Sequence, residues 1–282
     1  MNWIGAATTK AVLFITGEDF WRGVVAIVAF IIFWELGSRS EALFGFAVPS
    51  VSQIPPPTAV AKEMFLLMQE PSFWMSAYLS TLRVFEGFFA AMVIGIPLGL
   101  AMAVSRTFYG ITFPVFEVLR PIPPLAWVPA SIIFWPTQEL SIAFVTFLGA
   151  FFTIVINVIG GAQSIDVRYF QAARSMGSST WDIFRRIILP GVLPSIVVGA
   201  TVGVGITWAV VVAAEMISGG GSAGSMGGAA GGGLGFFIWN SYVGGSYTQI
   251  VAGMISIGIA GYMSSALLRK LGSWLTPWLN EG

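Results

Sequence analysis

Apolar residues fall in long blocks separated by short polar interruptions. Runs at about 21–37, 78–104, 113–135, 140–160, 191–217 and 248–268 each come near the ~20 residues that a helix needs to cross a bilayer. This pattern predicts an all-α membrane protein with about six transmembrane helices. Trp21 and Trp34 mark the ends of the first, slightly short run, as interfacial aromatics do. The third run holds the proline cluster Pro121–Pro129, which predicts a bent or broken helix. At membrane depth a break is tolerated only against protein or a water-filled cavity. The fifth carries Gly199-x-x-x-Gly203, a small-residue packing motif.

The polar interruptions divide the chain. Residues 1–20 hold Lys10, a short apolar run Ala11–Ile15 and then Glu18–Asp19; a signal peptide would need a longer apolar core and a cleavage site. They read as a cytoplasmic tail or interfacial helix. Residues 21–268 form one transmembrane domain, and 269–282 a short cytoplasmic tail. Within 38–75, Thr58 is expected to cap a short helix whose Ala59, Val60, Met64, Leu67 and Met68 share one face. Of the 17 residues 219–235, ten are glycine, without the Gly-Lys-Ser/Thr ending of a phosphate-binding loop. The surrounding segment 218–235 is expected to be a flexible outer loop or a mobile cover over the mouth of a pathway.

The longest strongly polar stretch of the second half is 171–194, QAARSMGSSTWDIFRRIILPGVLP, within a loop spanning about 161–190. Gly177 breaks its helical pattern, Ser178 or Ser179 can cap a second helix, and Asp182 suits that helix's first turn. Pro190 and Pro194 are expected to end the loop before the next span. Two short helices joined at a glycine elbow result, with Arg168, Arg174, Arg185 and Arg186 nearby. Ala172, Ala173 and Gly177 are small enough to let another backbone approach.

Composition narrows the function. Hydrophobic residues make up 56% of the chain and charged ones 9%, against roughly a quarter charged in soluble domains; mean hydropathy is +0.84. A net charge of zero leaves no basic excess for nucleic acid. The absence of cysteine and histidine excludes disulfides, thiolate chemistry and Ser-His or Cys-His catalysis, so the chain does not read as an enzyme. With the N-terminus inside, nine basic residues fall on the cytoplasmic side and two, Arg39 and Lys62, outside. That bias places both termini and 171–194 in the cytoplasm.

Charged side chains at membrane depth cost roughly 2.5 kcal/mol or more, so each needs a partner or a function. Arg83 with Glu86, and Glu117 with Arg120, stand three residues apart and can pair on one helix face. Alternatively, Arg83 or Arg120 supplies positive potential along an anion's route. Glu215 has no basic residue within a turn and needs a partner from elsewhere. Trp127 beside the prolines and Asn157 in the fourth run complete the candidate pathway residues. No repeat relates spans 1–3 to 4–6, unlike inverted-repeat carriers.

Gln171, Ala172, Ala173, Gly177, Phe184, Leu189 and Pro190 follow the spacing of the EAA loop, and here the chain resembles permeases of bacterial ABC importers. Gln171 stands where that family usually has Glu. Residues 80–103, 119–129 and 214–239 are similar to signatures of the nitrate, sulfonate, taurine and bicarbonate permeases, with extra glycine-rich residues inside the last segment. The resemblance implies a type I ABC-importer permease fold in the bacterial inner membrane, importing a small anion. It implies a second copy of the chain, two cytoplasmic ATP-binding subunits, and a periplasmic or lipid-anchored substrate-binding protein. ATP and Mg would sit on the ATP-binding subunits and no cofactor on this chain. The coupling contacts it implies are Gln171, Ala172, Ala173, Arg174, Met176, Gly177, Phe184, Leu189 and Pro190. The rival reading is an ion-coupled secondary transporter using Glu86 or Glu215.

Overall fold

The computed structural model describes residues 18–41, 45, 52–219 and 232–279, and every regular element among them is helical. The expectations for 1–17, 220–231 and 280–282 fall outside the described residues. Among the described residues five helices are long and apolar enough to cross a membrane: Trp21–Ser38, Pro71–Val104, Gln138–Gln163, Thr180–Ile217 and Tyr247–Leu275. The expected third span is not one helix. Residues 106–134 form α4 (Arg106–Leu119), a 3-10 turn (Pro124–Trp127) and α5 (Val128–Phe134). The proline cluster breaks the run as its residues dictate, since Pro121, Pro123 and Pro124 supply no backbone N–H.

The chain divides into two compact units. The first contains α1 (Glu18–Ser38) and α2 (Pro57–Leu67), together with residues 245–252. Here one expectation fails. Thr58 lies inside α2, preceded by Pro56 as the capping residue with no side-chain cap. The Glu35 carboxylate does the work instead, accepting the Thr58 N–H at 3.2 Å and its hydroxyl at 3.0 Å. An acid suits a helix N-terminus, and Arg39 holds Glu35 in place at 2.6 Å. Val60 and Leu67 form the buried face of α2 with Ala59 and Met64 half-buried beside them, whereas Met68, expected on the same face, lies past the helix end and is exposed.

The second unit holds the core. Helix α6 (Gln138–Gln163) packs against both α3 (Pro71–Val104) and α9 (Leu189–Gly219). Val84, Phe88, Val145, Ile154, Val158, Val204 and Val211 are buried between them. Glycines permit the approach: a Cβ on Gly87 would lie 2.7 Å from the Phe147 backbone nitrogen, and one on Gly199 2.8 Å from the Asn157 Cβ. Gly203 meets Ala150 one turn on, so the predicted packing motif is the α6-facing edge of α9. Helix α4 adds Phe116 to a cluster with Met102, Val155 and Ile159. The short helix α10 (Leu234–Val243) packs on α9 and α3. Helix α11 (Tyr247–Leu275) runs straight past Arg269 and Lys270, which the sequence assigned to a tail.

Candidate functional site

Two polar regions lie at opposite ends of α9. At its N-terminal end is the elbow. Helix α7 (Val167–Ser175) starts with the Asp166 carboxylate accepting the Arg168 N–H at 2.9 Å. It ends at Gly177, whose φ of +76° is a conformation that favours glycine. There the Ser178 N–H reaches the Ala173 carbonyl and the Gly177 N–H the Arg174 carbonyl, both at 3.0 Å. These two bonds form a Schellman motif, which closes the helix. Ser179 then caps α8 (Thr180–Ile183), accepting the Asp182 N–H at 3.2 Å while donating to its carboxylate. The caps on either side of Gly177 thus form where the spacing predicts them.

Its faces are divided. Ala173 and Ile183 turn into the protein, whereas Gln171, Ala172, Arg174, Met176 and Gly177 are exposed. Met176 is 79% and Trp181 67% exposed, and Trp181 stacks on half-buried Phe184 with centroids 5.5 Å apart. Leu189 and Pro190 are half-buried, but the prolines do not end the loop. Instead α8 continues through a π turn (Phe184–Ile188) directly into α9, with Pro190 and Pro194 inside the helix. The Leu189 N–H reaches back five residues to the Phe184 carbonyl. Proline crowds the carbonyl four residues before it, and a widened turn relieves that.

At the C-terminal end of α9 is a buried charge cluster. Arg83 is 3% and Glu215 1% exposed, and Arg83 Nη1 donates to Glu215 Oε1 at 2.9 Å. The rest of the guanidinium forks onto Glu139, Nε to Oε2 at 2.8 Å and Nη2 to Oε1 at 2.5 Å. The Ser80 hydroxyl lies 2.8 Å from both Glu215 oxygens and accepts the Leu234 N–H at 2.8 Å. The Gly235 N–H donates to Glu215 Oε2 at 2.9 Å. One carboxylate therefore ties α3, α9 and the start of α10 together. A Cβ on Gly233 would sit 2.0 Å from Glu215 Oε1, and one on Gly235 2.2 Å from the Val212 carbonyl oxygen. The end of the predicted flexible segment 218–235 is therefore fitted closely against this clasp.

The expected pair of Arg83 with Glu86 does not form. Glu86 is exposed and joins no ion pair among the described residues, because Arg83 points to the packed side of α3 where two carboxylates meet it. Glu117 and Arg120 also form no pair among the described residues: α4 ends at Leu119, so the residues straddle a helix end. Arg120 instead is the one charged residue along an open cavity of about 330 Å³, with Pro124, Phe152, Thr153, Ile156 and Ile206. Asn157 donates to the Thr153 carbonyl of its own helix at 2.8 Å. The Trp127 ring packs edge-on to Phe144 at 6.4 Å, its N–H buried with no acceptor among the described residues. The six candidate pathway residues thus fall in separate places, with only Arg83 and Glu215 in contact. Glu139, Ser80 and Gly233–Gly235 were not singled out by sequence; the one signal was Glu215's need for a distant base.

Residues 95–281 match the protein family described as "Binding-protein-dependent transport system inner membrane component". The chain is 32% identical over 273 residues to a nitrate import permease of Synechocystis sp., covering 94% of this chain and 92% of the relative. It is 32% identical over 233 residues to the taurine transport system permease of Escherichia coli, covering 81% of each. Among solved structures, an inward-facing methionine ABC transporter superposes with a TM-score of 0.58 at 24% identity, covering 73% of this chain and 99% of that one. That likeness concerns the fold.

Proposed function

Because the chain belongs to the binding-protein-dependent transport system inner membrane components, we propose that it forms the translocation pathway of an ATP-driven importer for a small anion. Two copies of the chain would line the pathway. Two cytoplasmic ATP-binding subunits, carrying ATP and Mg, would grip the elbow, and a periplasmic or lipid-anchored binding protein would deliver the substrate. Both termini and the elbow would face the cytoplasm.

The elbow carries this reading. A loop capped at Asp166, Gly177 and Ser179 holds its own shape while presenting Met176 and Trp181 to solvent. Such a rigid, partly apolar surface suits a partner better than it suits water. The nitrate and taurine permeases to which the chain is similar favour a small oxyanion, and Arg120 is the cation beside a membrane cavity. An ion-coupled carrier using Glu215 finds little support, since that carboxylate is engaged by Arg83, Ser80 and the Gly235 N–H.

The test is reconstitution in sealed vesicles with the ATP-binding subunits and the binding protein. Uptake of nitrate or taurine should require ATP and all three components. Accumulation by the lone chain under a proton or sodium gradient would overturn the proposal.

A further inference from the structure

Beside the elbow the structure has two adjoining cavities of different chemistry. The final turns of α3 and the α8 turn border an open apolar groove of about 600 Å³, lined by Pro97, Leu100, Ala101, Val104, Trp181 and Phe184. Val104, Thr180 and Phe184 also line an adjoining pocket of about 350 Å³, where Arg174 and Ser178 join them. Polarity therefore changes from one hollow to its neighbour across these shared residues. The apolar half follows the last turns of a membrane-length helix, and the polar half begins where that helix stops at Val104.

The polar half has unused valence. Arg168 and Arg186 pair with Asp166 and Asp182. Arg174 makes no ion pair among the described residues, and neither the Ser178 nor the Thr180 hydroxyl has a hydrogen-bond partner among them. A guanidinium flanked by two hydroxyls offers donors to a phosphate diester. A basic pocket at the membrane surface is the kind that holds anionic lipid headgroups. An acyl chain gains little by moving from lipid into an apolar groove, so the headgroup must supply the selectivity.

We propose that these paired hollows bind one anionic phospholipid, its phosphate on Arg174, Ser178 and Thr180 and one acyl chain along Leu100, Ala101, Val104 and Trp181. The proposal rests on the functional reading's placement of the elbow at the membrane surface and draws on three of the elbow's residues, Arg174, Trp181 and Phe184. Its readout is lipid retention rather than transport, so either can fail alone.

The experiment is native mass spectrometry of the full chain in detergent, titrated with phosphatidylglycerol and with phosphatidylcholine of the same acyl chains. Phosphatidylglycerol should be retained at least tenfold better than phosphatidylcholine. Arg174→Gln should abolish that preference, and Ala101→Trp, which fills the groove, should lower retention of the lipid itself. Far-ultraviolet circular dichroism of both variants should match the parent. Equal retention of the two lipids, or unchanged retention in both variants, would overturn the site. So would displacement by millimolar inorganic phosphate, which would make it a phosphate pocket. Binding seen only after removal of residues 1–17 would assign the hollow to that segment instead.

Discussion

The two ends of α9 treat charge in opposite ways. At the clasp, one buried guanidinium is held by buried Glu215 and by Glu139, whose side chain is 60% exposed. At the elbow, Arg168 and Arg186 lie in exposed pairs, and Arg174 and Arg185 make no ion pair among the described residues. Removing one partner of a buried pair strands a charge, at about 3–5 kcal/mol, whereas an exposed pair contributes about 0–1 kcal/mol. Arg83 and Glu215 are thus spent on the fold, whereas the elbow's arginines contribute little to it.

Substitutions should separate the two ends. Arg83→Leu is expected to have the largest effect, destabilising by about 3–5 kcal/mol because Glu215 loses its cation. A thermal melt of the purified protein should show it, and Arg83→Leu with Glu215→Leu should recover much of the loss. A double variant no more stable than the single would break the account of the clasp. Next comes Gly233→Ala, at about 1–3 kcal/mol, since the new methyl meets Glu215 and Ser80. Gly177→Asp should cost about 1 kcal/mol through its positive φ, with protein level preserved and ATP-driven uptake abolished. Smallest in stability is Trp181→Asp, within about 0.5 kcal/mol as for other surface changes; yet stimulation of the ATP-binding subunits should be lost. A Trp181→Asp protein that still drives full ATP hydrolysis would remove the functional half of the contrast.

Much of the elbow was legible because its signals are local. A capping serine, a glycine at the helix end and an acid in the first turn act within five residues of one another. The broken third span was legible for the same reason, since prolines act on their own helix. Arg83 was not: three residues away stood a plausible acid, Glu86, while the true partners lie 56 and 132 residues distant. Spacing along one helix cannot say which side faces a neighbour. Thr58 misled similarly, because its helix is capped from Glu35, 23 residues earlier. Pro190 and Pro194 read as terminators, and only a π turn, which has no residue signature of its own, carries the helix through them.

That uninterrupted helix has a mechanical consequence. From Trp181 to Glu215 the backbone passes through α8, the π turn and α9 without a loop, a distance of roughly 50 Å at 1.5 Å per residue. A tilt imposed at the indole by a partner would be carried by a single lever to the carboxylate and the start of α10. The wide turn at Phe184–Ile188 is where the bonding along that lever loosens from the α pattern.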